Sequence, residues 1–138
     1  MLVRMNALNS LSHPPPKLLP VLEHIKHSYL LWYELYQILP KIHRHTLGGK
    51  VDREFVELIE AVASATFLSP QEKHPWVRLA IRKLETLKVL LLILWETKSL
   101  DTKKYAALSI PLEDVGRVLG GWNGSLTKTQ PRLVAGRE

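Results

Sequence analysis

The chain of 138 residues contains no cysteine. This absence excludes a disulfide framework, a thiolate zinc site and a cysteine nucleophile. Long apolar runs are also lacking: residues 89–95 form a run of seven, bounded by Lys88 and Glu96, whereas a membrane-spanning helix needs about 20 apolar residues. Polar residues interrupt the first twelve positions, so no secretory signal is predicted, and we expect a cytoplasmic protein that does not enter a membrane.

The common catalytic motifs are missing as well. The sequence has no phosphate-binding loop of the Walker type, no dinucleotide-binding glycine pattern, no nucleophile elbow and no zinc-protease helix motif. His24 and His27 share a predicted helix face, and His43 and His45 flank Arg44, but no acidic residue is spaced to complete a metal site. No arginine is followed by a histidine at the spacing that HEPN-type ribonucleases use. We therefore expect a protein that is not an enzyme and uses no cofactor or metal.

Basic residues outnumber acidic residues in the sequence. The formal net charge is +6 and the isoelectric point is near 9.7. A basic surface raises the local concentration of polyanions whatever the fold. RNA, DNA and anionic lipid are all compatible with this excess.

Helical periodicity covers the first half of the chain. Apolar residues recur every three or four positions between residues 18 and 39, which predicts a first helix. Pro40 cannot donate to the preceding turn, so this helix is expected to stop or kink there. Thr46 has a side-chain oxygen that can cap a second helix, and the apolar register continues from residue 47 to residue 67.

A third helix is predicted over residues 76–98, where the chain has neither Gly nor Pro. Pro70 and Pro75 belong to a short predicted loop before it. A fourth helix is expected from a cap at Asp101 towards Leu119.

Two features are expected to interrupt this fourth helix. Pro111 removes the bond to the Ala107 carbonyl and predicts a bend or restart near Ser109. The pair 120–121 consists of two glycines, which can adopt the left-handed conformation that ends a helix, with Trp122 folding back as a hydrophobic contact.

These elements predict an all-α fold. Four helices of comparable length with short connections favour an up-down-up-down four-helix bundle. The predicted organisation is a flexible amino-terminal arm over residues 1–17, the bundle domain over 18–122 and a flexible tail over 123–138.

The apolar run of residues 89–95 wraps the whole circumference of its helix, because successive residues are about 100° apart. One core cannot cover such a run, so a second chain is the expected partner for the remainder. Leu91, Ile93 and Trp95 are the candidates for core or subunit contact. The alternative is that the third helix lies centrally among its own neighbours.

Basic residues cluster on the predicted third helix and around the connection between the first two. Guanidinium and ammonium groups on a rigid helix suit phosphates, and the resulting affinity depends strongly on salt. The alternative is a solvated, internally paired face. The candidate nucleic-acid or partner contacts are Arg78, Arg82, Lys83, Lys88, Arg44, Lys50 and Arg117.

Three segments together resemble the accessory variability determinant family, Avd, of diversity-generating retroelements. Pro40 followed by Thr46-Leu47-Gly48 matches the family's junction between its first two helices, and the basic, Leu-rich residues 78–95 match its third helix. The most specific motif is the end of the fourth helix, matched by Gly116, Arg117, Leu119, Gly120, Gly121 and Trp122. The resemblance covers roughly residues 20 to 122.

The resemblance implies a non-catalytic accessory subunit. Avd-like proteins are pentameric, barrel-like assemblies of four-helix bundles that bind the retroelement reverse transcriptase and its template RNA, and so support mutagenic cDNA synthesis and retrohoming. A ring-like homo-oligomer, a reverse transcriptase partner and an RNA or DNA ligand are therefore expected. Two alternatives remain: the similar four-helix proteins encoded within rRNA intervening sequences, and a structural module that binds an acidic protein or an anionic membrane.

Overall fold

A computed structural model describes residues 19–129 of the chain. The predicted arm of residues 1–17 and residues 130–138 of the predicted tail lie outside the described residues. Within the described range the chain is all-α, as predicted, and has no β-strand. The helices are α1 (Pro20–Gln37), α2 (Lys41–Arg44), α3 (Leu47–Thr66), α4 (Pro70–Glu96) and α5 (Thr102–Thr129).

Helix α1 ends before Pro40, as the sequence predicts. Its first position is Pro20, which loses nothing there because the first amides of a helix have no intrahelical acceptor. After Ile38 the chain turns at Pro40, whose carbonyl accepts bonds from the amides of His43 and Arg44. The single turn of α2 follows from this geometry, and the sequence analysis did not predict it.

Helix α3 begins at Leu47, close to the predicted residue, but the predicted cap is wrong. The Thr46 hydroxyl donates to the Ile42 carbonyl at 3.2 Å and makes no bond to the amides of α3. The glycine that follows has a steric role: a Cβ on Gly48 would lie 2.9 Å from Leu39 Cδ1. Glycine therefore permits the close approach of α3 to the end of α1.

Helix α4 starts six residues earlier than the sequence analysis predicts. Pro70 occupies its first turn, and the Ser69 hydroxyl lies 3.0 Å from Glu72 Oε2. This Ser-x-x-Glu spacing is typical of a helix start, and a proline at the first position is favoured there. Pro75 lies inside the helix, so the predicted loop over residues 70–75 is wrong.

Helix α4 ends at Glu96, two residues before the predicted end. Lys98 has a φ of 67°, the left-handed conformation that usually selects glycine. The Ser99 amide donates to the Leu94 carbonyl at 2.9 Å, and the Lys98 amide donates to the Trp95 carbonyl at 3.0 Å. Both bonds belong to the Schellman arrangement that closes a helix.

Helix α5 has the predicted cap, because Asp101 Oδ1 accepts a bond from the Lys104 amide at 2.8 Å. The predicted restart near Ser109 does not occur: α5 is continuous through Pro111. Close to the proline, the buried Ser28 hydroxyl of α1 donates to the Leu108 carbonyl at 2.9 Å. This bond ties α1 to the part of α5 where the helical hydrogen bonding is interrupted.

The predicted end of the last helix at Gly120 and Gly121 is wrong. No glycine in the described range has a positive φ, and α5 continues to Thr129. The apolar register explains this, since Leu119, Trp122 and Leu126 keep packing onto the rest of the chain. Glycine permits a left-handed turn but does not impose one. Residues 123–129 of the predicted tail are therefore helical.

The four long helices share a hydrophobic core. Helix α1 packs against α3 and α5, and α4 also packs against α3 and α5. The largest buried side chains include Trp32, Phe55, Leu91 and Leu112. Each contributes about 1.5 to 3 kcal/mol by leaving water. Among the described residues, no helix combines the length and apolarity needed to cross a membrane.

The core covers only part of the apolar run of residues 89–95, as predicted. Leu91 is fully buried, whereas Val89 is 54% and Leu92 39% exposed. Ile93 is half-buried, and Trp95 stacks on Tyr105 at 5.6 Å between ring centroids while remaining 36% exposed. Leu91 is thus a core residue, and the exposed part of the run supplies an apolar face on α4.

Candidate functional site

Two arginines on α4 lie in a groove without an acidic partner. Arg78 and Arg82 are one helical turn apart and are both exposed. No carboxylate of the described residues forms an ion pair with either of them. They line a concave region of about 700 Å³ between α4 and α5, which we call the α4–α5 groove. The other lining residues are Gln71, His74, Pro75, Ile81 and Asn123.

A hydrogen bond between helices closes one side of the groove. His74 Nε2 of α4 lies 2.9 Å from Asn123 Oδ1 of α5. Since an amide oxygen cannot donate, Nε2 carries the proton in this bond. The Asn123 amide nitrogen keeps its two N–H donors, so the groove contains a neutral donor beside the two guanidinium groups.

Asn123 is absent from the sequence-predicted contacts because its position falls in the predicted flexible tail over residues 123–138. The double glycine before it suggested a helix end. The spacing of Leu119, Trp122 and Leu126 was the signal that could have extended the helix, since residues three and seven apart share one face.

Lys83, a predicted contact residue, lies in an ion-pair network within the chain. Its Nζ is 2.6 Å from Glu57 Oε1 and 3.5 Å from Glu54 Oε2. The hydrogen bond from Lys83 holds the pKa of Glu57 below its usual value, and the same bond raises the pKa of Lys83. Glu54 is 2% exposed, so the network joins α3 to α4 through a buried carboxylate.

Three more of the predicted contact residues also form ion pairs within the chain. Lys50 Nζ lies 2.9 Å from Glu54 Oε1, and Lys88 Nζ lies 3.1 Å from Glu113 Oε1. Arg117 pairs with an aspartate one turn earlier on α5. A phosphate would have to compete with these carboxylates for each charge, which lowers the gain from binding there.

Arg44 has a structural contact at the end of α1. Its Nη2 donates to the Leu39 carbonyl at 3.0 Å, and its Nε is buried without a hydrogen-bond partner in the described structure. Nearby, His43 Nδ1 and the Ser99 hydroxyl are 2.6 Å apart. This guanidinium therefore binds the backbone at the end of α1. It does not line the α4–α5 groove.

The arrangement of the groove suits an anion. Guanidinium groups donate in a fixed fork that matches phosphate oxygens, and unpaired ones need not first leave a carboxylate. Among the described residues no group of three His, Asp or Glu side chains is placed to hold a metal ion. Of the seven predicted contact residues, only Arg78 and Arg82 meet in one groove.

Comparison of the chain with protein-family models, with curated proteins and with solved structures finds no match.

Proposed function

We propose that this chain is a non-catalytic accessory subunit of a diversity-generating retroelement, and that it binds template RNA through the α4–α5 groove. The observation that carries the proposal is the exposed pair Arg78 and Arg82, which has no carboxylate partner in the described residues. The proposed protein partner is the retroelement reverse transcriptase. This part of the proposal is supported by the sequence resemblance to Avd proteins.

The charge distribution favours a backbone-binding ligand. Each phosphate that an arginine neutralises releases counterions, which supplies affinity without sequence readout. The described residues form helices joined by short turns, and the sequence has no recognition-helix or RNP motif. Recognition through the sugar-phosphate backbone is therefore favoured over recognition of bases.

The assembly in this proposal is a ring-like homopentamer of up-down-up-down four-helix bundles. The packing of α1 and α4 against α3 and α5 supports the bundle. The exposed Val89 and Leu92 on α4 supply apolar surface for a neighbouring copy. Repetition of the groove around a ring would make weak single contacts effective through avidity.

Fluorescence anisotropy with a labelled single-stranded RNA, measured over a salt titration, tests the binding. The double variant Arg78→Glu/Arg82→Glu should bind much more weakly. Removal of two phosphate contacts should reduce the slope of log K against log salt by about 1.4 per chain. Light scattering should give about five times the 15.8 kDa mass of one chain for both proteins.

The matched control is Lys103→Glu/Lys104→Glu. It changes the net charge by the same amount at the start of α5, about 30 Å along the helix from Asn123. This control should keep most of the affinity. Equal loss in the two double variants, or binding to anionic vesicles but not to RNA, contradicts the proposed function. A monomer at micromolar concentration contradicts the proposed assembly.

The reverse transcriptase partner requires its own test. A reverse transcriptase gene beside the gene for this chain, with variable and template repeats, would supply the protein to co-express. Co-purification of the two proteins is expected. Failure of the polymerase to co-purify with the wild-type chain contradicts the accessory role.

A further inference from the structure

We propose that a second pocket, at the turn between α4 and α5, binds a guanine base of the RNA strand. This inference rests on the proposed function and adds one base contact to the phosphate contacts of the α4–α5 groove. The pocket, which we call the turn pocket, has a volume of about 610 Å³, a size typical of sites for small ligands. Its lining residues are Trp95, Glu96, Lys98, Leu100, Asp101 and Thr102.

The turn pocket and the α4–α5 groove lie at opposite ends of the contact between α4 and α5. His74 is bonded to Asn123 at the end that holds the groove. At the other end Trp95 Nε1 donates to Thr102 Oγ1 at 3.0 Å. The distance from Arg82 to Trp95 is about 20 Å along α4, which an extended strand of several nucleotides can cover.

Trp95 gives the turn pocket an aromatic wall that is already fixed in position. Its ring stacks on Tyr105 at 5.6 Å between centroids, and its only N–H donates to Thr102. The side chain nevertheless remains 36% exposed. Bases of single-stranded RNA stack on exposed aromatic side chains, and a ring that is already held loses little conformational freedom when a base binds.

The two unpaired charges of the turn pocket are opposite in sign. Among the described residues neither Glu96 nor Lys98 forms an ion pair. Asp101 is already engaged, because its Oδ1 accepts a bond from the Lys104 amide at 2.8 Å and its Oδ2 lies 3.9 Å from Lys104 Nζ. Since the two free charges cancel, the pocket favours a neutral polar ring over a phosphate or a cationic side chain.

Guanine is the base that matches both free charges. Its adjacent N1–H and N2–H groups can donate two parallel bonds to one carboxylate, and its O6 and N7 accept from an ammonium group. Adenine and cytosine place a ring acceptor beside the amino group, and uracil has one N–H between two carbonyls. Glu96 is therefore the proposed acceptor for the base, and Lys98 is the proposed donor.

The test compares short labelled oligouridine strands that differ at one internal position. Anisotropy titrations at fixed salt should show that a single guanine tightens binding about ten-fold relative to uracil, because a bidentate base contact gives discrimination of this order. Inosine, which lacks the N2 amino group, should lose most of this gain. Adenine should bind like uracil.

The deciding variant is Glu96→Gln, which keeps the size of the side chain but replaces one acceptor oxygen by a donor. It should abolish the preference for guanine. The matched control is Glu85→Gln, since Glu85 is also an exposed residue of α4 and does not line the turn pocket. Both variants change the net charge equally and should raise the affinity for plain oligouridine to the same extent, but the control should keep the preference.

Lys98→Gly is a second variant of the turn pocket. Loss of the ammonium group should reduce the preference for guanine several-fold. The φ of 67° at this position suits glycine, so the variant should remain folded. Circular dichroism of the same samples checks this, and an unchanged preference in the folded variant contradicts the role of Lys98.

The outcomes separate this inference from the proposed function. Affinities that do not respond to guanine but still require Arg78 and Arg82 overturn the base contact and leave RNA binding in place. A preference that Glu85→Gln and Glu96→Gln remove equally also overturns it. Guanosine monophosphate tests the free nucleotide as the ligand: its tight binding, without any preference for guanine in RNA, overturns the contact to the strand. If the wild-type chain binds no RNA, the proposed function fails and this inference fails with it.

Discussion

Replacement of Lys83 by methionine should destabilise the protein without weakening RNA binding, although the sequence places this residue among the basic contacts. Its ammonium lies between Glu57 at 2.6 Å and Glu54 at 3.5 Å. Methionine keeps the length of the stem but leaves the buried carboxylate of Glu54 with Lys50 alone.

The magnitude follows from the burial of Glu54. Removal of one partner from a fully buried ion pair costs about 3 to 5 kcal/mol. Two features reduce this figure: the Lys83 side chain is 25% exposed, and Lys50 still pairs with Glu54 at 2.9 Å. We expect a loss of about 1 to 2 kcal/mol in the free energy of unfolding, or roughly 4 to 8 °C in the thermal midpoint.

Urea denaturation followed by circular dichroism measures the stability, and RNA anisotropy at fixed salt measures binding. The matched variant is Arg82→Met, in which the lost charge is exposed and unpaired. It should change the free energy of unfolding by less than about 0.5 kcal/mol, yet weaken RNA binding by several-fold. The reasoning is refuted if Lys83→Met leaves stability unchanged and lowers RNA affinity as much as Arg82→Met does.

The same ion pairs give stability a defined pH dependence. The pKa of Glu57 is lowered by its bond to Lys83, so this contribution is present above the usual glutamate pKa of about 4.3 and is lost as the pH falls through the lower folded value. The pKa of Lys83 is raised, so its contribution persists below the usual lysine pKa and disappears as the pH rises through the folded value. Acid denaturation should therefore begin at a higher pH when the stabilising partner Lys83 is replaced by methionine.

Three further predictions concern single residues. Gly48→Ala should destabilise the protein by about 1 kcal/mol, since its Cβ would approach Leu39 Cδ1 to 2.9 Å; Gly49→Ala, which has ordinary van der Waals clearance, should be neutral or stabilising in the same urea assay. Lys98→Gly should stabilise by about 0.5 to 1 kcal/mol, because φ is 67° there, and a lower urea midpoint would contradict that reading. Burial, followed by a hydrogen bond to an aspartate, raises the pKa of Tyr29 to about 12, so alkaline absorbance titration should show a late phenolate that Tyr29→Phe removes, and stability should fall as the pH rises from about 10 to 12.

Local sequence preferences predict helix ends least well at prolines and glycines. Pro40 ends α1 as predicted, but Pro75 and Pro111 are both accommodated inside helices. Gly120 and Gly121 continue a helix, whereas the left-handed helix end falls on Lys98. Local preferences of a few kcal/mol or less are overridden when the apolar residues on both sides continue to pack against the same core.

The sequence by itself determined the helical class, the approximate extent of α1 and α3, the cap at Asp101, and the excess of apolar surface around residues 89–95. These features depend on periodicity and on local chemistry, which neighbouring residues specify directly. Only the tertiary structure decided which basic side chains remain unpaired. Lys83 and Lys88 form ion pairs with carboxylates contributed by other helices, whereas Arg78 and Arg82 line a groove together with Asn123 of α5. Partners that lie far apart along the chain come together only when the helices pack, so the sequence could supply the candidates but not choose among them.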